Sequence, residues 1–385
     1  MIIRDEELDG LVGKGQDFEK MIHGLIRAEA WACGIRPNQI DWDCRTNVPD
    51  GGIDVLIRIG NQRADRQFLP SVRSVWSLKS GLDGVSPATL RKELDHHSEV
   101  ISHLQAGGAY VWCAVAPASQ VKRENLRRAA DSLAKKHKFE TQQIWFFFRD
   151  TITQWLNQHI GLIPIYFPSR PYGWKSLEEW RRLDRNSKVP WVEFGDRAQL
   201  IKEIRRHLLV ASDNNVIHIA GWSGIGKTRT ARRACEHRAL EGVLYFPRLE
   251  AFTSGIEDYL TRNEWMRAAI VIDEVEIEDF SALQARLVEF QDRIRILTIG
   301  AGTNNSVMFR QGVKWVSLPD PTTGVTLVIQ SGDSNLSTKQ AQNIANWCDH
   351  DLRLALLLTA ANKLDPGLAN RPITSVDEVW TRVST

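Results

Sequence analysis

The sequence predicts two successive α/β domains of different kinds. Three observations carry this. The chain has 385 residues, more than one compact core usually takes and about right for two domains. A proline- and glycine-rich stretch, GLIPIYFPSRPYGW, separates two runs of strand and helix signals. In the second run an apolar strand, a glycine-rich turn and a helix follow one another without a break.

Composition narrows the class. Hydrophobic residues make up 43% and charged residues 25%, which fits a globular chain and excludes a disordered one. No apolar run reaches the ~20 residues of a membrane helix. The start, MIIRDEELDG, is acidic and lacks the basic-then-apolar order of a signal peptide, so no membrane association and a cytoplasmic location are expected. The five cysteines, Cys33, Cys44, Cys113, Cys235 and Cys348, are scattered and form no C-x-x-C pair, which points to free thiols rather than zinc. A net charge of +2 does not argue for nucleic acid. One local run is basic, Lys122, Arg123, Arg127, Arg128, Lys135, Lys136 and Lys138 against Glu124 and Asp131, and taken alone it reads as a solvated helix face. The fourteen tryptophans are expected mostly in cores and interfaces.

The elements follow in order. Phe18, Ile22, Leu25 and Ala28 or Glu29 recur at helical spacing and predict a helix from about Gly15 to Cys33, stopped by Gly34. Strands are expected around Gln39–Cys44, Ile53–Ile59 and Ser74–Lys79. Next come a helix near Pro87–Leu104, the strand AYVWCAVA, the basic helix, the strand QIWFFF and a helix capped by Asp150. Helix, three strands, helix, strand, helix, strand, helix make an α/β sandwich. After the proline- and glycine-rich stretch come a short helix, SLEEWRRL, the segment VPWVEFGDRAQLIKEIRRHLL, and a second α/β unit opening at NVIHIAGWSGIGKT.

GWSGIGKT, Gly221 to Thr228, fits G-x-x-x-x-G-K-[ST] in full, with the strand VIHIA before it and a helix after it. Gly221, Gly224 and Gly226, with Ile225 between, let backbone N–H groups converge on phosphate oxygens at the positive end of a helix. Lys227 is placed to reach the β- and γ-phosphates of ATP, with Arg229 just beyond, and Thr228 to hold Mg²⁺. AAIVIDEVE is a buried strand ending in Asp273 and Glu274. The first carboxylate suits Mg²⁺ and the second suits polarising the attacking water. RIRILTIGAG is a further core strand, whose polar tip, Thr298 to Thr303, is placed to sense the γ-phosphate.

These segments resemble P-loop NTPases of the AAA and STAND type. VEFGDR, with Phe194 and Gly195, resembles the F-V-G-R segment that lines the adenine pocket in that group, with Asp196 inserted before Arg197. WVSLPDP resembles the last sheet strand. WCDHDLRLALLL resembles the helix of the small lid, where Arg353 falls at the position of a sensor arginine.

In the first domain GQDFEKMIHGL, PDGGIDVLIRI and VWSLKSG follow one another. Residues two apart in a strand share a face, so Ser77 and Lys79 point together while Trp76 and Leu78 point away. Asp54 lies on the preceding strand, able to face Lys79. A carboxylate there suits Mg²⁺, and a lysine suits orienting the attacking water. The three segments resemble the PD-(D/E)xK nucleases of the Mrr restriction type, where the helix contributes F-E, here Glu19, and the third segment reads [EQ]-x-K. Ser77 departs from that pattern: a neutral hydroxyl stands where an acid or glutamine is usual. The resemblance implies Asp54, Lys79, Glu19 and Ser77 as the catalytic set, Mg²⁺ as its cofactor and double-stranded DNA as substrate, with the basic helix on the DNA backbone.

The fold expected is therefore a restriction-endonuclease-like α/β sandwich (1–160), a linker (161–192), a P-loop STAND NTPase core with a parallel sheet (193–325) and a helical lid (326–385). The order resembles the antiviral STAND (Avs) family of prokaryotic defence proteins. That resemblance implies a sensor that binds a phage protein, ATP-dependent assembly into a homo-oligomer, and DNA cutting by the gathered nuclease domains. It also implies a winged-helix and sensor region after the lid, before which this chain is expected to be cut short. The alternatives are an AAA-type ATP-driven restriction enzyme and a nucleotide-gated DNA-binding module with an inactive nuclease fold.

Overall fold

The computed structural model describes residues 3–32, 35, 37–42, 53–58, 68–70, 72–168, 173–183, 190–209, 216–237, 240, 242–256, 260–261, 266–276, 279, 283, 290, 293–300, 313–318, 324–348, 351–364 and 368–370. The chain divides into two compact units, Met1–Arg170 and Pro171–Thr385. Among the described residues no helix is long and apolar enough to cross a membrane.

The first unit is mixed α/β. Helix α1 (Gly15–Ala32) precedes three short strands, β1 (Ile40–Trp42), β2 (Val55–Ile57) and β3 (Ser74–Lys79), which pair antiparallel. Helices α2 (Pro87–His96) and α3 (Ser98–Gln105) lead to β4 (Ala109–Ala114), α4 (Gln120–His137) leads to β5 (Ile144–Phe147), and α5 (Arg149–Gln158) and the single turn α6 (Ile163–Tyr166) follow. Strands β4 and β5 add in parallel to β3, so the sheet order is β1-β2-β3-β4-β5. Alternation along β3 and β4 divides the core in two. Val75, Tyr110 and Trp112 pack with Leu90, Leu94, Val100, Leu104 and Leu126 from α2, α3 and α4. Trp76 turns the other way, edge-on to Phe147 at 5.5 Å and tilted against Trp155 of α5 at 6.0 Å.

Three local expectations are corrected. The helix expected at Pro87–Leu104 is two, broken at His97, which leaves the helical region at φ −110°, ψ 85°. Leu94 and Val100 are six residues apart, off-face in one straight helix, and the break lets both reach the same core. Asp150 does not cap α5, since Phe148 occupies that position. The Asp150 carboxylate instead takes both Nη atoms of Arg123, at 2.8 and 2.9 Å. Strands β1 and β2 begin later than expected, since Gln39 lies in a 3-10 turn and residues 53–54 are not strand; residues 43–44 and 59 lie outside the described residues.

The second unit holds α7 (Leu177–Leu183), α8 (Arg197–Leu209), β6 (Val216–Ala220), α9 (Lys227–Cys235), β7 (Leu244–Phe246), α10 (Leu249–Gly255), β8 (Ala268–Ile272), β9 (Ile294–Ile299) and β10 (Val313–Ser317). All five strands run parallel in the order β10-β6-β9-β8-β7. Strands β6 and β9 are buried along their length and β8 over Ile270–Ile272, as apolar runs in a sheet covered on both faces should be. From β6 the chain crosses to the far edge at β7, and the loop after β6 opens at the carboxyl end of the sheet, where such folds bind ligands. Helices α11 (Val325–Gly332), α12 (Thr338–Trp347) and α13 (Leu352–Leu364) form a separate cluster around Ile329, Ile344, Ala355 and Leu358, into which Phe194 inserts.

Candidate functional site

The loop between β6 and α9 is shaped by its glycines. Gly224 and Gly226 hold φ +81° and +89°, left-handed values that side chains disfavour. A Cβ at Gly224 would also meet the Asp351 carboxylate at 2.3 Å. That carboxylate caps α13, accepting from the N–H groups of Arg353 and Leu354. The Lys227 ammonium folds back over the loop and donates to the carbonyls of Gly221 and Trp222, each at 2.8 Å. Burial lowers its pKa, opposed by the Asp273 charge.

Asp273 follows β8 and is 8% exposed. Its Oδ2 accepts from the Thr228 hydroxyl at 2.9 Å and from the Tyr245 hydroxyl at 3.1 Å. Its Oδ1 accepts from the Glu274 N–H at 3.0 Å. Burial pushes its carboxyl above the ordinary value, and these hydrogen bonds pull it back. Two hard oxygen donors, one on the helix and one on the strand end, suit Mg²⁺, which usually takes one or two protein ligands and fills its shell with water and phosphate. Glu274 is exposed and held at φ +52°, a conformation that costs about 1–3 kcal/mol and collects at functional sites. Its carboxylate lies 3.7 Å from Arg248, a solvent-exposed pair.

These groups line one cavity of about 690 Å³. Gly224, Gly226, Lys227, Thr228, Asp273 and Glu274 line it together with an apolar wall of Trp191, Val192, Phe194, Val328, Leu352 and Leu356, and with Arg229 and Arg353. Polar groups suited to phosphate and an apolar wall in one cavity are what a nucleotide needs. Gly195, Gly221 and Ile225 are not among the lining residues; Ile225 packs beneath the loop, where a Cβ at Gly221 would meet its Cδ1. The Phe194 ring covers Gly324, where a Cβ would sit 2.1 Å from it.

Sequence reasoning missed three supports. Arg197, despite the inserted Asp196, is 2% exposed, stacks over Phe194 at 4.0 Å and donates to the Ile225 carbonyl at 2.6 Å. It ties the apolar wall to the phosphate loop, and burial lowers its pKa to about 10. Tyr245 holds Asp273, and Trp180 of α7 stacks on Tyr245 at 4.1 Å and 7°. The F-G-x-R order of Phe194 to Arg197 could have flagged Arg197; no local pattern marks the other two. Of the ten tryptophans whose burial is described, five are buried and four half-buried, but Trp222, in the phosphate loop itself, is 72% exposed.

Thr298 does not sense phosphate. It is wholly buried, in register with His218 of β6, whose Nδ1 lies 2.8 Å from its hydroxyl. Residues 301–303 of the expected sensor lie outside the described residues. Burial lowers the pKa of His218 to about 4, and burial likewise lowers His23 of the first unit to about 4. Both histidines are thus neutral when folded and protonate near 6.5 when unfolded, so acid favours the unfolded chain. Between pH 6.5 and 4.5 each should remove about 1.4 kcal/mol of stability per pH unit. Asp95 and Asp150, whose pKa values are lowered, act only below that window. A melting temperature that is flat from pH 7 to 5 would contradict this.

In the first unit, Asp54 lies next to β2, whose register with β3 places it opposite Ser77. Its Oδ2 accepts from the Leu78 N–H at 2.6 Å. Ser77 is wholly buried and its hydroxyl has no hydrogen-bond partner among the described residues. Lys79, on the same face, donates to Glu93 of α2 at 2.8 Å and lies 5.2 Å from the Trp112 ring centroid. Glu19 is half-buried on α1, one turn from Gly15, where a Cβ would meet Ser80 at 3.6 Å. Among the described residues no three His, Cys, Asp or Glu side chains form a metal-binding group. On α4, Arg123 and Lys136 are paired with Asp150 and Asp95, while Lys122, Arg127, Arg128, Lys135 and Lys138 are exposed.

No protein-family model and no curated protein matches the chain. Among solved structures, similar ones include C. elegans PCH-2, at 14% identity and TM-score 0.30 over 51% of this chain and 70% of that one. A STAND protein with a tetratricopeptide repeat sensor from Pyrococcus horikoshii is 19% identical, at TM-score 0.34, over 51% of this chain and 33% of its own. The Rhizobiales Trip13 structure is 12% identical, at TM-score 0.32, over 54% and 92%.

Proposed function

We propose that the second unit binds ATP with Mg²⁺ as a STAND-type switch, and that it controls a Mg²⁺-dependent DNA endonuclease in the first. The observation that carries the first half is the Thr228–Asp273 hydrogen bond at 2.9 Å beside Lys227. It brings a phosphate-binding lysine, a hydroxyl and a strand-end carboxylate to one cavity. Bound Mg²⁺ would neutralise charge on the β- and γ-phosphates. Backbone N–H groups of the loop and Lys227 bind and orient those phosphates. Phe194 and its neighbours exclude water from the base. Glu274, projecting from a strained backbone, takes the proton of the attacking water. Arg353, whose side chain has no ion pair among the described residues, is free to meet phosphate when α13 moves.

Asp54 facing Ser77, with Lys79 on the same face, supports the nuclease half, and the exposed cations of α4 suit a DNA backbone. On this reading the likeness to Avs defence proteins extends to the role. A phage protein triggers the switch, ATP-bound chains gather as a homo-oligomer, and their nuclease units cut double-stranded DNA in the cytoplasm. Glu274→Gln separates the steps. It should keep ATP affinity within about twofold, lower phosphate release by about 10²-fold or more, and accumulate ATP-dependent oligomers. Equal turnover in the variant would remove Glu274 from the mechanism. Turnover stimulated by DNA would favour an ATP-driven motor over a switch.

A further inference from the structure

We propose that Tyr245 is a positioning residue of the nucleotide's cation site: its hydroxyl holds the Asp273 carboxylate turned toward Thr228, and Trp180 of α7 holds Tyr245. The segment ahead of the ATP-binding fold thereby takes part in binding Mg²⁺. The proposal rests on the ATP reading of the second unit and names what sets the metal affinity of that site. The last torsion of an aspartate is broad, so one hydrogen bond does not fix which way its carboxylate turns. Here three donors converge from different places. The hydroxyls of Thr228 on α9 and Tyr245 on β7 donate to Oδ2, at 2.9 and 3.1 Å, and the Glu274 N–H donates to Oδ1 at 3.0 Å. Thr228 is itself offered to the cation, and the Glu274 N–H belongs to a backbone at φ +52°. Tyr245 is the donor with no second task. A phenol is also neutral, so it orients the carboxylate without cancelling the charge the cation needs, as a lysine or arginine there would.

Tyr245 is buried and fixed by the segment that leads into α7. Its N–H donates to the Lys175 carbonyl at 3.0 Å, and its carbonyl accepts from the Lys175 N–H at 2.8 Å. This lays Lys175 antiparallel on the edge strand. Ser176 and Glu179 then start α7 with a reciprocal cap. The Glu179 N–H donates to Ser176 Oγ at 3.2 Å, and the Ser176 N–H donates to Glu179 Oε2 at 2.8 Å. The helix so begun carries Trp180, also buried, onto the Tyr245 ring, with centroids 4.1 Å apart and planes 7° from parallel. A ring stacked this way has little room to swing its hydroxyl off Asp273. Trp180, Tyr245, Thr228 and Asp273 all line the nucleotide cavity. A chain of printed contacts thus runs from α7 through Tyr245 to the carboxylate oxygen bonded to Thr228.

Calorimetry of ATP binding to the full chain, in EDTA and across a Mg²⁺ series, tests this without reading turnover. Tyr245→Phe keeps the ring and the stack and removes only the hydroxyl. ATP affinity in EDTA should stay within about twofold of the parent, while the Mg²⁺ concentration giving half of the Mg²⁺-dependent gain should rise about tenfold. In an Asp273→Asn background the same change should add nothing, since Tyr245 acts through that carboxylate. Trp180→Leu should shift the Mg²⁺ midpoint the same way, and Trp180→Phe, which keeps a stacked ring, should not. Thermal melts identify a variant that is merely unfolded, and Tyr245→Phe decides the matter if Trp180→Leu does not fold. An unchanged Mg²⁺ midpoint in Tyr245→Phe, or an equal loss of affinity in EDTA, overturns the proposal and leaves the ATP reading standing. A shift in Tyr245→Phe with none in a folded Trp180→Leu overturns the part given to Trp180. A parent that binds no ATP, with or without Mg²⁺, removes the ATP reading itself.

Discussion

Lys227→Ala should leave no measurable ATP binding in calorimetry, a loss of at least about two orders of magnitude, or ~2.7 kcal/mol. Lys227 is the cation held over the phosphate loop, its ammonium 2.8 Å from two loop carbonyls. Those carbonyls accept and cannot bind phosphate, so the alanine removes the loop's own side-chain cation and leaves the phosphates to its backbone N–H groups, with only Arg229 and Arg353 of the cavity lining to add charge. The Gly224 and Gly226 conformations do not depend on the lysine side chain, so the fold should survive and the melting temperature change little. Unchanged ATP affinity would remove the cavity from the mechanism.

Asp54→Asn should lower DNA cleavage by more than about 100-fold. The amide keeps an oxygen that can accept from the Leu78 N–H, bonded at 2.6 Å in the parent. The loss then reports charge rather than a broken turn; alanine would add an unsatisfied buried N–H worth about 1–3 kcal/mol. Lys79→Ala should be comparably inactive, since it removes the one ammonium on that strand face. Cleavage equal to the parent in both variants would mean that the site lies elsewhere.

What could be read from the sequence was what lies close together along the chain. GWSGIGKT carries its own strand and helix on either side, so Lys227 and Thr228 could be placed without a structure. Asp273 and Glu274 end an apolar run of strand length, which marks a buried strand reaching its edge. The strand alternation around Ser77 and Lys79 was visible for the same reason. What depends on register or docking was not. Thr298 looked like a polar strand tip, but parallel pairing sets it beside His218 in the sheet interior. Tyr245 reaches Asp273 from the edge strand, and Trp180 stacks on Tyr245 from a segment that bridges to that strand at Lys175. Glu93 meets Lys79 through a helix whose break at His97 no residue preference announces.

Plasmid cleavage in Mg²⁺, with and without ATP, tests the central claim most directly when the parent chain is compared with Lys227→Ala and Asp54→Asn. The account predicts that ATP raises cutting by the parent, that Lys227→Ala loses the ATP response, and that Asp54→Asn cuts in neither condition. Cutting by the parent that is indifferent to ATP, or that persists with ATP in Lys227→Ala, would contradict it.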